Sequence, residues 1–166
     1  MEEIIKGLWL GSDEDVPEAK KRGYARLCCC KDGPDSHRSM LGYTTLGAPL
    51  NDEYLVARRG DVMALNLIDT DNPHLMPQEV LLAGVEFINE MMSKGKKVFV
   101  HCNQGISRSP TMVMLYLRTV GELDQPIARA KKIFDTIYPK HDPGKAVWFH
   151  AKELWDYLKG LHVKRV

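Results

Sequence analysis

The stretch Lys96-Lys97-Val98-Phe99-Val100-His101-Cys102-Asn103-Gln104-Gly105-Ile106-Ser107-Arg108-Ser109 reads as a strand, a loop and the opening of a helix in one short run. Residues 96–100 form a compact strand whose end delivers His101 and Cys102 into a loop that contains Gly105. From Ser109 the apolar positions Met112, Val113, Leu115, Tyr116 and Leu117 continue as a mostly buried helix ending near Gly121. A strand that enters a helix through such a loop puts the loop at the carboxyl end of a sheet, where open α/β sheets bind ligands.

Upstream, residues 4–10 read as a strand with apolar residues on both faces, broken by Gly11-Ser12-Asp13. Residues 16–22 read as a short helix, 24–30 as a small-residue strand able to be buried on both faces, and 63–68 as a further strand. A helix opens at Pro77, where Val80, Ala83, Gly84, Phe87, Ile88 and Met91 recur at three and four, and Lys94-Gly95 stops it. Two more helices, 126–138 and 143–159, each begin at a proline and carry apolar faces that include Phe134, Leu154 and Trp155. Strands alternating with helices predict an α/β fold with a mostly parallel central sheet flanked by helices. Residues 31–60 lose periodicity and are expected to be an atypically long connection. With no internal repeat or low-complexity linker, residues 1–166 are expected to be one catalytic domain.

A chain of 166 residues can bury about two thirds of the surface its unfolded form exposes, so it needs no staples. Lys plus Arg total 23 against 22 for Asp plus Glu, which leaves no overall field to draw the molecule onto nucleic acid or an acidic membrane. Any anion must therefore be bound locally. The cysteines are Cys28, Cys29, Cys30 and Cys102, and three in a row cannot form a disulfide framework or a spaced zinc pair. No metal or other cofactor is expected. The N-terminus has no basic region followed by an apolar run, and a cytoplasmic protein is the expectation.

The loop carries its own chemistry. Successive backbone N–H groups of Asn103, Gln104, Gly105, Ile106 and Ser107 can point inward as an anion nest, reinforced by the positive end of the following helix dipole. Arg108 adds a planar fork of donors suited to two phosphate oxygens. The same positive field is expected to stabilise a thiolate at Cys102, the nucleophile for in-line attack on phosphorus. Ser109 lies where its hydroxyl could donate to the departing sulfur of Cys102 in a second step. His101 is expected to face away from substrate and brace the loop by a hydrogen bond to backbone, a supporting role.

These residues spell His-Cys-x5-Arg-Ser, and here the chain resembles the dual-specificity branch of the cysteine-based protein tyrosine phosphatase superfamily. Ile5-Lys6-Gly7-Leu8-Trp9-Leu10-Gly11-Ser12 is similar to that family's opening strand pair, residues 25–30 to its next strand, and Gly105-Ile106-Ser107-Arg108-Ser109-Pro110-Thr111 to its loop-to-helix junction. The resemblance implies hydrolysis of phosphotyrosine, with phosphoserine and phosphothreonine, in a phosphorylated protein partner. It also implies a general acid on the loop before the helix that precedes Cys102. An ungapped match through Phe87 and Ile88 gives Asp71; ending the strand Leu65-Asn66-Leu67-Ile68 at the acid gives Asp69 as the alternative. Asp71 is preferred, because helix and strand lengths vary less than loops. The resemblance further suggests Cys28, Cys29 or Cys30, with Cys30 preferred, as a redox partner of Cys102. The alternative functions are hydrolysis of a phosphoinositide or RNA 5′-phosphate, and silent phosphate binding.

Residues 31–60 carry His37, Arg38, Tyr43, Tyr54, Arg58 and Arg59, which could line a substrate wall or form an ordinary charged surface. The run Tyr138-Pro139-Lys140-His141-Asp142-Pro143-Gly144 lacks an asparagine that many relatives carry nearby, so Asp142 is a candidate substitute.

Overall fold

A computed structural model describes residues 1–164. In chain order the elements are β1 (Glu2–Ile5), β2 (Leu8–Ser12), α1 (Val16–Lys21), β3 (Ala25–Cys28), α2 (His37–Leu41), β4 (Val56–Arg59), β5 (Val62–Leu65), α3 (Gln78–Ser93), β6 (Val98–Cys102), α4 (Arg108–Thr119), α5 (Ile127–Ile137) and α6 (Lys145–Leu158). The strands form one sheet in the order β1-β2-β6-β3-β5-β4. The inner strands β2, β6, β3 and β5 run parallel, and the two edge strands pair antiparallel with their neighbours. The α/β expectation holds, with the parallel character confined to the inside of the sheet.

β6 sits between β2 and β3. Leu8 lies opposite Val98 and Ser12 opposite Cys102 on one side; Ala25 lies opposite Val98 and Cys28 opposite His101 on the other. Val98, Phe99 and Val100 are fully buried, as a parallel strand covered on both faces requires. Cys102 therefore ends the most enclosed strand of the sheet.

The first strand expected over residues 4–10 is two. Gly7, at φ +87°, turns the chain between β1 and β2, a conformation that disfavours any residue with a Cβ. Residues 31–60 are not one connection, because they contain α2 and the edge strand β4. α2 is defined by its ends rather than by periodicity. The Ser36 hydroxyl accepts from Ser39 N–H at 3.1 Å, and Gly42 closes the helix in the left-handed conformation at φ +75°.

α4 is buried along its whole length, packed against β6, α3 and α6. Gly84 lets α3 approach closely, since a Cβ there would lie 2.6 Å from Met112 Cε. At the far end of α4 the buried Arg118 guanidinium donates to the carbonyls of Trp155, Leu123 and Gln125, tying α4 to α6 and to the loop between α4 and α5. Trp155 packs in the core as its helical face predicts. Among the described residues no helix is long and apolar enough to cross a membrane.

Candidate active site

Cys102 is 2% exposed, at the floor of a cavity of about 430 Å³. Its Sγ lies 3.0 Å from Ser109 Oγ and accepts from the Ser109 N–H at 3.4 Å, so the first turn of α4 holds the sulfur, while the Ser109 hydroxyl also reaches Gly11 O at 3.4 Å. Asn103, Gln104, Ile106, Ser107 and Arg108 line the same cavity. Gly105 forms the back of the loop.

The loop's carbonyls are held from outside. Asp13 N–H donates to Asn103 O at 3.4 Å, the Tyr138 hydroxyl to Gly105 O at 2.7 Å, Asp142 N–H to Ile106 O at 2.8 Å and the Thr111 hydroxyl to Ser107 O at 2.7 Å. Among the described residues, no backbone acceptor takes the N–H groups of residues 104–107. A loop whose oxygens are anchored outward, with its amides uncommitted, has the polarity of an anion nest. Gly105 is required at its bend: φ is +70°, and a Cβ would lie 2.8 Å from Gly11 O and 3.0 Å from Tyr138 Oη. Burial lifts the Tyr138 hydroxyl to about 12, which keeps it a neutral donor.

Arg108 is 6% exposed. Nη1 donates to Leu67 O at 3.0 Å and Nη2 to Asn103 Oδ1 at 2.8 Å, while its buried Nε has no partner among the described residues. The Asn103 Nδ2 group donates to Asp13 Oδ2 and to Asp32 O, each at 2.9 Å. His101 supports the loop differently from the expectation. Its Nδ1 lies 3.2 Å from Asp13 Oδ1 rather than on backbone, and its ring stacks on Phe99 at 5.2 Å between centroids. Asp13 was not singled out as a site residue by sequence; its only signal was its place in the Gly11-Ser12-Asp13 break.

Asp69, Asp71 and Asp142 line the cavity opposite Arg108's loop. Gly144 sits between Asp69 and the loop: a Cβ built on it would lie 3.4 Å from Asp69 Oδ1 and 3.5 Å from Ser107 Oγ. Ser107 Oγ also accepts from Gly144 N–H at 2.8 Å, so the start of α6 closes the cavity's side. None of His37, Arg38, Tyr43, Tyr54, Arg58 and Arg59 lines it. His37 is an internal brace between Tyr43 Oη and Glu53 O, and Arg58 and Arg59 pair with Glu90 and Glu53.

The strand register separates the three adjacent thiols. Cys28 lies opposite His101, so the next residue, Cys29, faces Cys102 across the sheet; a Cys102 charge helps raise the Cys29 thiol, after the larger effect of burial. The Cys28 thiol instead lies 3.8 Å from the carbonyl oxygens of Cys30 and Pro34. The charge of Cys102 thus reaches Cys29, whereas the sequence preferred Cys30 as the redox partner. All four cysteines are free.

Comparison with known proteins follows the same lines. The family model "Dual specificity phosphatase, catalytic domain" matches residues 48–132, just over half of the chain. The human protein named dual specificity protein phosphatase 22 is 28% identical over 122 residues, 74% of this chain and 56% of that protein. Its Xenopus laevis counterpart is 30% identical over 122 residues, 74% of this chain and 50% of that protein. The chain thus spans about half the length of these curated relatives. Among solved structures, DUSP15 superposes with a TM-score of 0.64 at 20% identity, covering 97% of this chain and 91% of the other. The human tyrosine phosphatase-like serine/threonine/tyrosine-interacting protein gives 0.63 at 22% identity, covering 93% and 95%. At such identities these structures speak for the fold, and the family model speaks for the sequence: the chain belongs to the dual specificity phosphatase catalytic-domain family.

Proposed function

We propose that this protein hydrolyses phosphotyrosine, and phosphoserine or phosphothreonine, in phosphorylated proteins through a phosphocysteine at Cys102. The observation that carries the reading is the shared cavity of Cys102 Sγ, the uncommitted loop amides and the Arg108 guanidinium. The Cys102 thiolate attacks phosphorus in line, and the P–O ester bond breaks as a carboxylic acid gives its proton to the leaving oxygen. The nest and Arg108 hold the equatorial oxygens while charge builds on them. The resulting carboxylate then takes a proton from water, whose oxygen attacks phosphorus. The P–S bond breaks, phosphate leaves, and the Ser109 hydroxyl donates to the departing sulfur. Asp69 and Asp71 both line the cavity, and spacing in the sequence favours Asp71 as the acid.

Two features support a phosphoprotein over a polyanionic lipid or RNA end. The loop side chains of Asn103, Gln104, Ile106 and Ser107 are neutral, and three carboxyl side chains line the cavity beside one guanidinium. The four free thiols suit a reducing, cytoplasmic setting.

Turnover of a chromogenic aryl phosphate tests the reading. Wild-type protein should turn over; Cys102→Ser should lose activity and still trap phosphorylated protein. No turnover by wild type would leave only a phosphate-binding module. The acid is identified by pH profiles of Asp69→Asn and Asp71→Asn: the variant that loses the decline on the basic side has lost the proton donor.

A further inference from the structure

We infer that Asp13, which lies outside the phosphate loop at the end of β2, is a positioning residue that fixes the Asn103 amide so that Asn103 aims the Arg108 guanidinium at the phosphate. The inference rests on the phosphatase reading and adds a residue to that same site.

The hydrogen bonds allow one arrangement of the Asn103 side chain. Its Nδ2 group donates to Asp13 Oδ2 and Asp32 O, and its Oδ1 accepts from Arg108 Nη2. A carboxylate and a carbonyl only accept, and a guanidinium only donates. Turning the amide over would set the Asp13 carboxylate and the Asp32 carbonyl against an oxygen and the guanidinium against an NH₂ group, and all three contacts would be lost. Asp13, with the Asp32 carbonyl beside it, thereby selects the orientation in which Oδ1 faces Arg108. Leu67 O holds the other terminal nitrogen, so two of the five guanidinium donors are fixed by protein and the buried Nε–H stays available for an oxyanion.

Asp13 is itself held on several sides. His101 Nδ1 approaches Oδ1 at 3.2 Å, and Asp13 N–H donates to Asn103 O. Gly33 gives the pair room, because a Cβ there would lie 2.8 Å from Asp13 Oδ2 and 3.0 Å from Asn103 Nδ2. Burial raises the Asp13 carboxyl, but hydrogen bonds from His101 and Asn103 and the charges of His101 and Arg108 outweigh it and hold the group below its ordinary value.

The sign of the effect separates positioning from plain electrostatics. A carboxylate beside the phosphate site repels a dianion, so if charge were all that mattered, its removal would tighten phosphate binding. If Asp13 acts by orienting Arg108 through Asn103, its removal weakens binding, because a misaligned guanidinium loses its paired geometry.

The test is the competitive inhibition constant of inorganic phosphate, measured with an aryl phosphate substrate on wild type, Asp13→Asn, Asn103→Ala and the double variant. Asp13→Asn should raise the constant about tenfold, the scale of one charge-assisted hydrogen bond. In the Asn103→Ala background the same change should have no further effect, which a general loosening of the loop would not produce. An unchanged or lower constant in Asp13→Asn, or equal losses in both backgrounds, overturns the inference. Should Asp13→Asn not fold, Asp13→Ser makes the same comparison. An active wild type with unaltered phosphate inhibition in the variant would sink this inference alone; an inactive wild type that phosphate does not bind would sink the phosphatase reading itself.

Discussion

The Ser109 N–H donates to the Cys102 sulfur, and the Ser109 hydroxyl lies within hydrogen-bond reach of it at 3.0 Å. The backbone donor survives substitution, so Ser109→Ala isolates the hydroxyl. A hydrogen bond to a charged sulfur should matter most when that sulfur is the leaving group. Ser109→Ala is therefore expected to lower kcat about tenfold with little change in kcat/KM, and to produce a burst of phenolate in pre-steady-state measurements. An unchanged kcat without a burst would mean that the hydroxyl plays no part in the second step. Cys29 makes a second prediction at this scale. Mild peroxide should oxidise Cys102 to the sulfenic acid, which the Cys29 thiol then attacks with loss of water. Peptide mapping should find a Cys29–Cys102 disulfide, and a sulfonic acid at Cys102 with Cys29 reduced would contradict it. The cysteine, the arginine and the amide-bearing loop that share the cavity were legible in sequence because they are contiguous. Asp13 and Tyr138 were not, because they reach the loop from distant segments and have no motif of their own. Which of three identical neighbours lies nearest Cys102 depends on strand register, which the sequence does not reveal.

The long helices α3, α4, α5 and α6 could be read from their apolar spacing and proline starts, because each runs long enough for a period to show. α2 and β4 are too short for that, and β4 carries Arg58-Arg59 where an apolar pattern would be sought. α5 reaches the active site through the residue at its carboxyl end. Tyr138 donates to Gly105 O and titrates near 12, above the ordinary tyrosine value of 10 that the unfolded chain would show. The folded state thus holds the phenol proton more tightly than the unfolded state does. Its contribution to stability is fully present below pH 10 and is lost as pH rises from about 10 to 12. Tyr138→Phe should be less stable than wild type at neutral pH and should lose less stability across that alkaline window. Parallel denaturation curves for the two proteins from pH 9 upward would contradict this.

For the molecule as a whole, composition showed no overall charge field and the alternation of elements announced an α/β fold. Strand order was out of reach, since nothing local to β6 says that it will lie between β2 and β3. The near balance of charge, net +1, leaves discrimination among phosphates to the cavity. Three carboxyl side chains there should penalise a substrate with several phosphate groups. A phosphotyrosine peptide is expected to show a kcat/KM at least about tenfold higher than a phosphoinositide bisphosphate, with the gap narrowing as salt is added. A preference for the inositide would reverse the assignment of substrate class.

The outward tethering of the loop oxygens has a further consequence, visible to solvent deuterium. Protons on nitrogen normally exchange slowly deep in a protein because a neighbour holds them, and β6 and α4 should behave in that way. The protons of residues 104–107, set between these two elements and bonded to neither, should exchange early. Saturating inorganic phosphate should then slow that short segment, leaving a protected footprint a few residues long in an otherwise unaltered map.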